Sequence, residues 1–227
     1  MPSLLIKPPI NNILFDLDGT LADTAPDLAM ALNRLLKEQG KPPLPFTAIR
    51  PMVSHGGVYM IVKAFALAED DPDFPALRER FLSLYESALV AETRLFPGIA
   101  ELLDQLEADG CTWGIVTNKL ERLTFPLIEA LELQQRAACI VCGDTLSWNK
   151  PHPAPMLHAC QLVDRKPAES LYIGDAEKDV IAGNSANMYT LIARYGHIGD
   201  EEKPEDWGAD GIIDKPAEIL DWLAERR

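Results

Sequence analysis

The sequence predicts an α/β fold, a Rossmann-like parallel sheet core interrupted by an inserted small helical domain, and three observations carry that expectation. Short apolar runs bounded by turn residues recur along the chain, with helical patterns between the later ones, which is the rhythm of strands joined by crossover helices. Roughly 95 residues of mostly helical periodicity separate the first run from the second, far more than a crossover needs. The first run ends in two closely spaced acids, Asp16 and Asp18, at what becomes the carboxyl edge of a sheet, where open α/β folds bind ligands.

The first strand is expected over 12–15. A helix follows over 25–39, opened by Pro26, whose missing N–H would be unpaired in a first turn anyway. The break Lys41-Pro-Pro-Leu-Pro45 stops it, shorter helices follow over 47–52 and 58–67, and a longer one spans 75–90. Further strands fall over 112–116, 138–141, 171–173 and 189–193, and a short run over 211–213 adds an edge strand. Helices over 99–108, 156–162 and 219–223 start after Pro97, Pro153 and Pro216, and Gly110 suits the residue just past the end of the first. The insertion enters after Asp23 and leaves before Phe96, which divides the chain into a core of 1–23 with 94–227 and an insertion of 24–93. Two neighbouring crossings suit a hinged lid.

At 227 residues, 47% hydrophobic and 25% charged, the chain can bury a substantial core and has the composition of a globular enzyme. Its 21 basic and 35 acidic residues give a net charge of −14, which argues against nucleic acid or an anionic membrane as partner. Handling an anion then requires local positive charge, from bound metal or one or two lysines. No apolar stretch reaches about 18 residues, and residues 1–9 lack a long apolar segment with a small-residue cleavage site, so a cytoplasmic location is expected, as monomer or homodimer. Cys111, Cys139, Cys142 and Cys160 are too few and scattered for a disulfide framework. Cys139-Ile-Val-Cys142 lies in a strand-like run with no second pair at zinc spacing, so buried thiols are expected.

The chemistry concentrates in Phe15-Asp16-Leu17-Asp18-Gly19-Thr20-Leu21-Ala22-Asp23-Thr24. Strand alternation sets Asp16 and Asp18 toward one pocket with Leu17 turned away, and two acids there cannot both stay ionised without compensation, so a cation is expected. Gly19 allows close backbone approach or a φ that bulkier residues resist. Asp-Gly is also a common turn signal, but the full string is more specific.

That string resembles the first motif, Asp-x-Asp-Gly-Thr-Leu, of the haloacid dehalogenase-like superfamily, whose phosphatases pass through an aspartyl-phosphate. The resemblance implies Asp16 as nucleophile, Asp18 as general acid and base, Mg2+ between them, and a helical cap closing over the site. Thr117-Asn118 after an apolar run matches the second motif, implying a Thr117 hydroxyl on the transferring phosphoryl group; Thr and Asn also suit a helix start. Lys150 in Asn149-Lys-Pro-His-Pro153 matches the third, a lysine that neutralises nucleophile and phosphate, in a frame the prolines hold extended. Gly174-Asp175-Ala-Glu-Lys-Asp179 matches the fourth, implying metal on Asp16, the Asp18 carbonyl and Asp175, with Asp179 a ligand through water or an orienter of Lys150. Ala176 stands where many relatives carry Ser or Thr. The resemblance covers essentially the whole chain.

Asn118 and Lys119 are further candidates for touching substrate, as are Arg50, His55 and Gly56, because Ser54-His55-Gly56-Gly57 in the insertion reads either as a loop that dips toward substrate or as an interhelical turn. His152, His158 and His197 read as local structure. The opening Asp-Thr-Ala-Pro-Asp-Leu is similar to phosphoglycolate phosphatases, and the tail Tyr195-Gly-His-Ile with Trp207-Gly-Ala-Asp210 to N-acetylmuramic acid 6-phosphate phosphatases. The resemblance therefore implies a Mg-dependent hydrolase of a small phosphorylated metabolite, first of the 2-phosphoglycolate kind, with the muramic sugar phosphate as alternative. A phosphomutase of the β-phosphoglucomutase type shares the four motifs and is a further alternative. A non-catalytic protein on this fold would be expected to have lost an essential acid or Lys150, and all are present.

Overall fold

A computed structural model describes residues 10–226. Residues 1–9, read above for a targeting segment, lie outside the described residues. The sheet is parallel, with order β5-β4-β1-β6-β7-β8, from β1 (Asn12–Phe15), β4 (Thr112–Val116), β5 (Ile140–Val141), β6 (Ser170–Gly174), β7 (Tyr189–Ala193) and β8 (Gly211–Ile213). β1 is buried along its whole length, as expected of a central strand covered on both faces. Its alternation serves two cores. Ile13 and Phe15 join the layer of α5 (Ile99–Ala108), α6 (Glu121–Ala130) and α9 (Glu218–Ala224), whereas Leu14 faces α7 (Ala154–Leu162) and α8 (Glu177–Ser185).

Between β1 and β4 the chain forms α1 (Ala25–Glu38), α2 (Phe46–Ile49), a 3-10 stretch over Arg50–His55, α3 (Gly57–Phe65) and α4 (Phe74–Glu86). These helices share a core of their own, in which Leu32, Leu35, Met60, Ile61, Phe81 and Tyr85 meet, with Leu123 of α6 closing it from below. The chain enters and leaves them through an antiparallel pair of two-residue strands, β2 (Ala22–Asp23) and β3 (Arg94–Leu95). Buried Asp27 fastens this exit, accepting hydrogen bonds from the N–H groups of Glu92 and Thr93 and from the Thr93 hydroxyl.

The differences from expectation are local. One helix over 47–52 is instead α2 followed by the 3-10 stretch, because Pro51 has no N–H with which to continue an α ladder. The strand expected over 138–141 is shortened to an edge pair, although Ile115 N–H still reaches the Cys139 carbonyl. Residues 149–152 form a turn, with the His152 N–H donating to the Asn149 carbonyl at 2.8 Å, so the lysine does not sit in the uniformly extended frame its prolines suggest; the Lys150–Pro151 peptide is cis. Gly110 has φ +72 just past α5, as expected. Among the described residues, no helix is long and apolar enough to cross a membrane. Cys139 and Cys142 are free buried thiols, which burial pushes up to about 12 and about 11.

Candidate active site

With β1 between β4 and β6, the residues that leave their carboxyl ends converge: Asp16, Thr117 and Asp175 each follow the last strand residue. The Asp16 N–H donates to the Ile173 carbonyl at 2.9 Å, continuing the ladder one step and setting the carboxylate level with the next turn. Gly19 folds that first turn back at φ +80, and a β-carbon there would lie 2.0 Å from Asp175 Oδ2, so only glycine admits the approach of the two turns.

The Lys150 ammonium is fully buried, 2.9 Å from Asp16 Oδ1 and 2.7 Å from Asp179 Oδ1. It also donates to the Val116 carbonyl and the Tyr172 hydroxyl. Asn118 holds the lysine main chain, donating from Nδ2 to the Lys150 carbonyl at 2.9 Å and accepting from the Lys150 N–H at 3.0 Å. Burial depresses the lysine, but Asp16 and Asp179 outweigh it and carry Lys150 above its ordinary value. Asp16 is raised by burial against the pull of Lys150, and Asp175 is raised by burial despite partial relief from His197 and Ser54.

Asp18 belongs to a separate pair. Its Oδ1 accepts from Lys119 Nζ at 2.7 Å and from the Thr24 hydroxyl at 2.6 Å. Burial pushes the Asp18 carboxyl up, but Lys119 and Thr24 outweigh it and leave it below the ordinary carboxylate range. Lys119, which burial lowers and Asp18 raises, ends above the ordinary lysine value, its ammonium 4.7 Å from the Tyr85 ring centre.

Ligand atoms of Asp16, Asp175 and Asp179, all buried, lie within 4.8 Å of one another. Three carboxylates against the one ammonium in contact with them, Lys150, leave two negative charges that Lys178 relieves only at longer range and a divalent cation would cancel. Asp175 adds the more specific sign: its Oδ2 accepts from the Ser54 hydroxyl and the His197 N–H, each at 2.8 Å, whereas its Oδ1 is buried without a hydrogen-bond partner. Such an oxygen is costly unless something absent from the chain satisfies it. Hard oxygen donors are what Mg2+ or a similar ion takes. Asp179 is less free, with Oδ1 on Lys150 and Oδ2 accepting from the Ala176 N–H, which favours the orienting side of the two roles set out for it.

Above this floor lies a cavity of about 320 Å³. Asp16, Asp18, Thr117, Asn118, Lys119, His55 and Gly56 line it, so most of the residues singled out from sequence meet here. Lys150, Asp175 and Asp179 stand behind Asp16. Arg50 stands apart from the lining, donating to the Gly196 carbonyl at 2.6 Å and lying 3.8 Å from Asp23, and so bridges the helical insertion to the turn after β7. His55 faces Glu202 at 3.5 Å and Tyr59. The Asn118 amide is occupied by the Lys150 backbone rather than left open to a ligand.

Sequence reasoning missed three participants. Ser54 reaches Asp175 from the insertion, 121 positions away. Lys178 Nζ donates to the Ser54 carbonyl, a second tie between helices and core. His197, read as local structure, is fully buried, holds Asp175 through its N–H and lies 2.8 Å from Asp23 through Nε2. Each lies in a segment the sequence singles out, Ser54 opening the glycine turn, Lys178 inside the fourth motif and His197 in the tail Tyr195-Gly-His-Ile, but none of these patterns assigns the side chain a partner.

Comparison with known proteins gives a family match over residues 13–193, described as haloacid dehalogenase-like hydrolase. An N-acetylmuramic acid 6-phosphate phosphatase of Pseudomonas putida is 39% identical over 207 residues, 91% of this chain and 93% of that protein. A phosphoglycolate phosphatase of Xanthomonas campestris pv. campestris is 40% identical over 207 residues, with the same shares covered. The crystal structure of a predicted phosphoglycolate phosphatase from Haemophilus somnus 129pt is similar with a TM-score of 0.84 and 29% identity, covering 94% of this chain and 97% of that one.

Proposed function

The chain belongs to the haloacid dehalogenase-like hydrolases and is a phosphatase; from that premise we propose that it hydrolyses a small phosphate monoester through an aspartyl-phosphate on Asp16, with Mg2+ as cofactor. The observation that carries this reading is the buried, unpartnered Asp175 Oδ1 beside Asp16 and Asp179, in a site two charges short of neutrality.

Asp16 attacks phosphorus, and the bond from phosphorus to the ester oxygen breaks. The departing oxygen takes a proton from Asp18. Asp18, now a carboxylate, removes a proton from water, which attacks the same phosphorus and restores Asp16 as inorganic phosphate leaves. The Thr117 hydroxyl and Lys150 stabilise charge on the transferring group and the nucleophile. Asp16, Asp175 and the Asp18 carbonyl would hold a divalent cation, which when bound would supply Lewis-acid neutralisation of charge on the phosphoryl group.

Asp18 needs its proton for the first half-reaction, yet Lys119 holds it ionised. Lys119 also lines the cavity, so an incoming phosphoryl group draws the ammonium away. Burial, the largest influence on Asp18, is then opposed by the weaker pulls of Thr24 and His197, and it raises the carboxyl toward a proton-carrying acid. The helices α1 to α4 serve as a lid hinged on β2 and β3, held closed over the site by Ser54, Arg50 and Lys178.

The names of the relatives supply two substrates, 2-phosphoglycolate and N-acetylmuramic acid 6-phosphate, both phosphorylated acids. The test is phosphate release from a panel of such esters with Mg2+, by the wild type and by Asp16→Asn. Loss of turnover in a folded Asp16→Asn protein supports the reading, and near-normal release by that variant defeats it. Release of phosphate from a single ester with no acceptor sugar present separates hydrolysis from phosphomutase chemistry.

A further inference from the structure

Four residues of α4 face the cavity, Arg78, Phe81, Leu82 and Tyr85, at the spacing that stacks side chains on one face of a helix. Tyr85 marks the catalytic end, with its ring against Lys119, which holds Asp18. Arg78 lies two turns earlier, about 10 Å away along the axis at 1.5 Å per residue. The other cations lining this cavity are engaged, Lys119 by Asp18 and Lys178 by the Ser54 carbonyl. Arg78 is partly buried and, among the described residues, has neither a hydrogen bond nor an ion pair.

A half-buried guanidinium left unpaired on a cavity wall, two helical turns from Tyr85, is a ready site for a second anionic group, since its planar fork matches a carboxylate. Leu28, Phe81, Leu82 and Leu123 also line the cavity, an apolar and aromatic surface suited to the faces of a ring rather than to a short polar chain. In 2-phosphoglycolate only the ester oxygen and one methylene separate phosphorus from the carboxyl carbon, too short a span to reach both ends. We propose that Arg78 is a specificity-determining residue that binds a carboxylate carried far from the phosphoryl group, and that the substrate is a ring-sized phosphorylated acid. This rests on the phosphatase reading above.

The test compares kcat/KM for N-acetylmuramic acid 6-phosphate and N-acetylglucosamine 6-phosphate, which differ by the lactyl ether that bears the carboxylate, with 2-phosphoglycolate as a third ester. The wild type prefers the muramic ester over both. In Arg78→Met the ratio between the two sugar esters falls roughly 10- to 100-fold, the range for a lost charged hydrogen bond, mainly through KM. Arg78→Lys, which keeps the charge and loses the fork, gives an intermediate ratio and carries the test if the methionine variant does not fold. An unchanged ratio in either folded variant, or a wild-type preference for 2-phosphoglycolate, overturns the inference while leaving the phosphatase reading intact. Absence of phosphate release from every ester sinks that reading and the inference with it.

Discussion

Gly19 and Asp175 touch so closely that a β-carbon on the glycine would stand 2.0 Å from Asp175 Oδ2, at a φ of +80 that disfavours any side chain. The turn after β1 and the turn after β6 are therefore built as one piece, and the acid is aimed partly by the bareness of the glycine. Gly19→Ala combines left-handed strain with a clash that only movement of Asp175 relieves. It should cost at least about 2 kcal/mol in urea unfolding. Activity should fall more than stability predicts, with a raised Mg2+ requirement. Wild-type metal dependence in that variant would show that the contact does not position the acid.

Lys150 sits at the electrostatic centre of the site. Its removal in Lys150→Met leaves Asp16 and Asp179 buried without their ammonium, a loss on the order of 3–5 kcal/mol. Adding Asp179→Asn removes one of the stranded charges and should recover part of that stability while turnover stays lost. Additive destabilisation in the double variant, measured by chemical unfolding, would refute the coupling.

The ion-free protein should become more stable on mild acidification. Asp16 and Asp175 have folded-state carboxyl values above the ordinary 3.8, so between 3.8 and those raised values the folded chain binds more protons than the unfolded chain. Stability then rises as pH falls through that window and levels off toward 3.8. Asp18 and Asp23 are depressed; their stabilisation is present above 3.8 and is lost only as pH falls through their folded values, beneath the window. The net charge of −14 also relaxes on acidification, so the diagnostic is a comparison. In thermal melts with chelator, Asp175→Asn should show a shallower rise than wild type, and saturating Mg2+ should flatten the wild-type curve. Identical slopes for the two chelated proteins would contradict the assignment.

Much of this centre is legible in the chain because its parts are local. The buried run of β1, the acids that follow it, the need for glycine at position 19 and the Asp175–Asp179 spacing each lie within one short segment whose geometry is set by strand and turn rules. β2 and β3 escape such reading, since a period of two cannot be recognised in two residues. Ser54 and His197 escape it for another reason: each reaches Asp175 only after the helical insertion and the turn after β7 have folded onto the sheet. Asn118 was singled out for the right neighbourhood, but its amide is satisfied by Lys150, 32 positions away, a pairing that no local pattern announces.

The Lys119–Asp18 pair makes a sharper kinetic prediction than any of the buried acids. With the ammonium in place Asp18 is held below the ordinary carboxylate range, and burial is the opposing influence. In Lys119→Met burial is opposed by the weaker pulls of Thr24 and His197, so the Asp18 carboxyl rises. A step that needs protonated Asp18 weakens as pH climbs through its value, and raising that value moves the descending limb of kcat/KM to higher pH. The limb should shift upward by about one unit or more, alongside a lower plateau from the lost cation. Asp18→Asn in the same background should abolish the limb, which ties it to this carboxyl rather than to ionisation of the substrate phosphate. A downward shift, or a limb that survives in the Asp18→Asn protein, would mean that Lys119 does not govern the proton on Asp18.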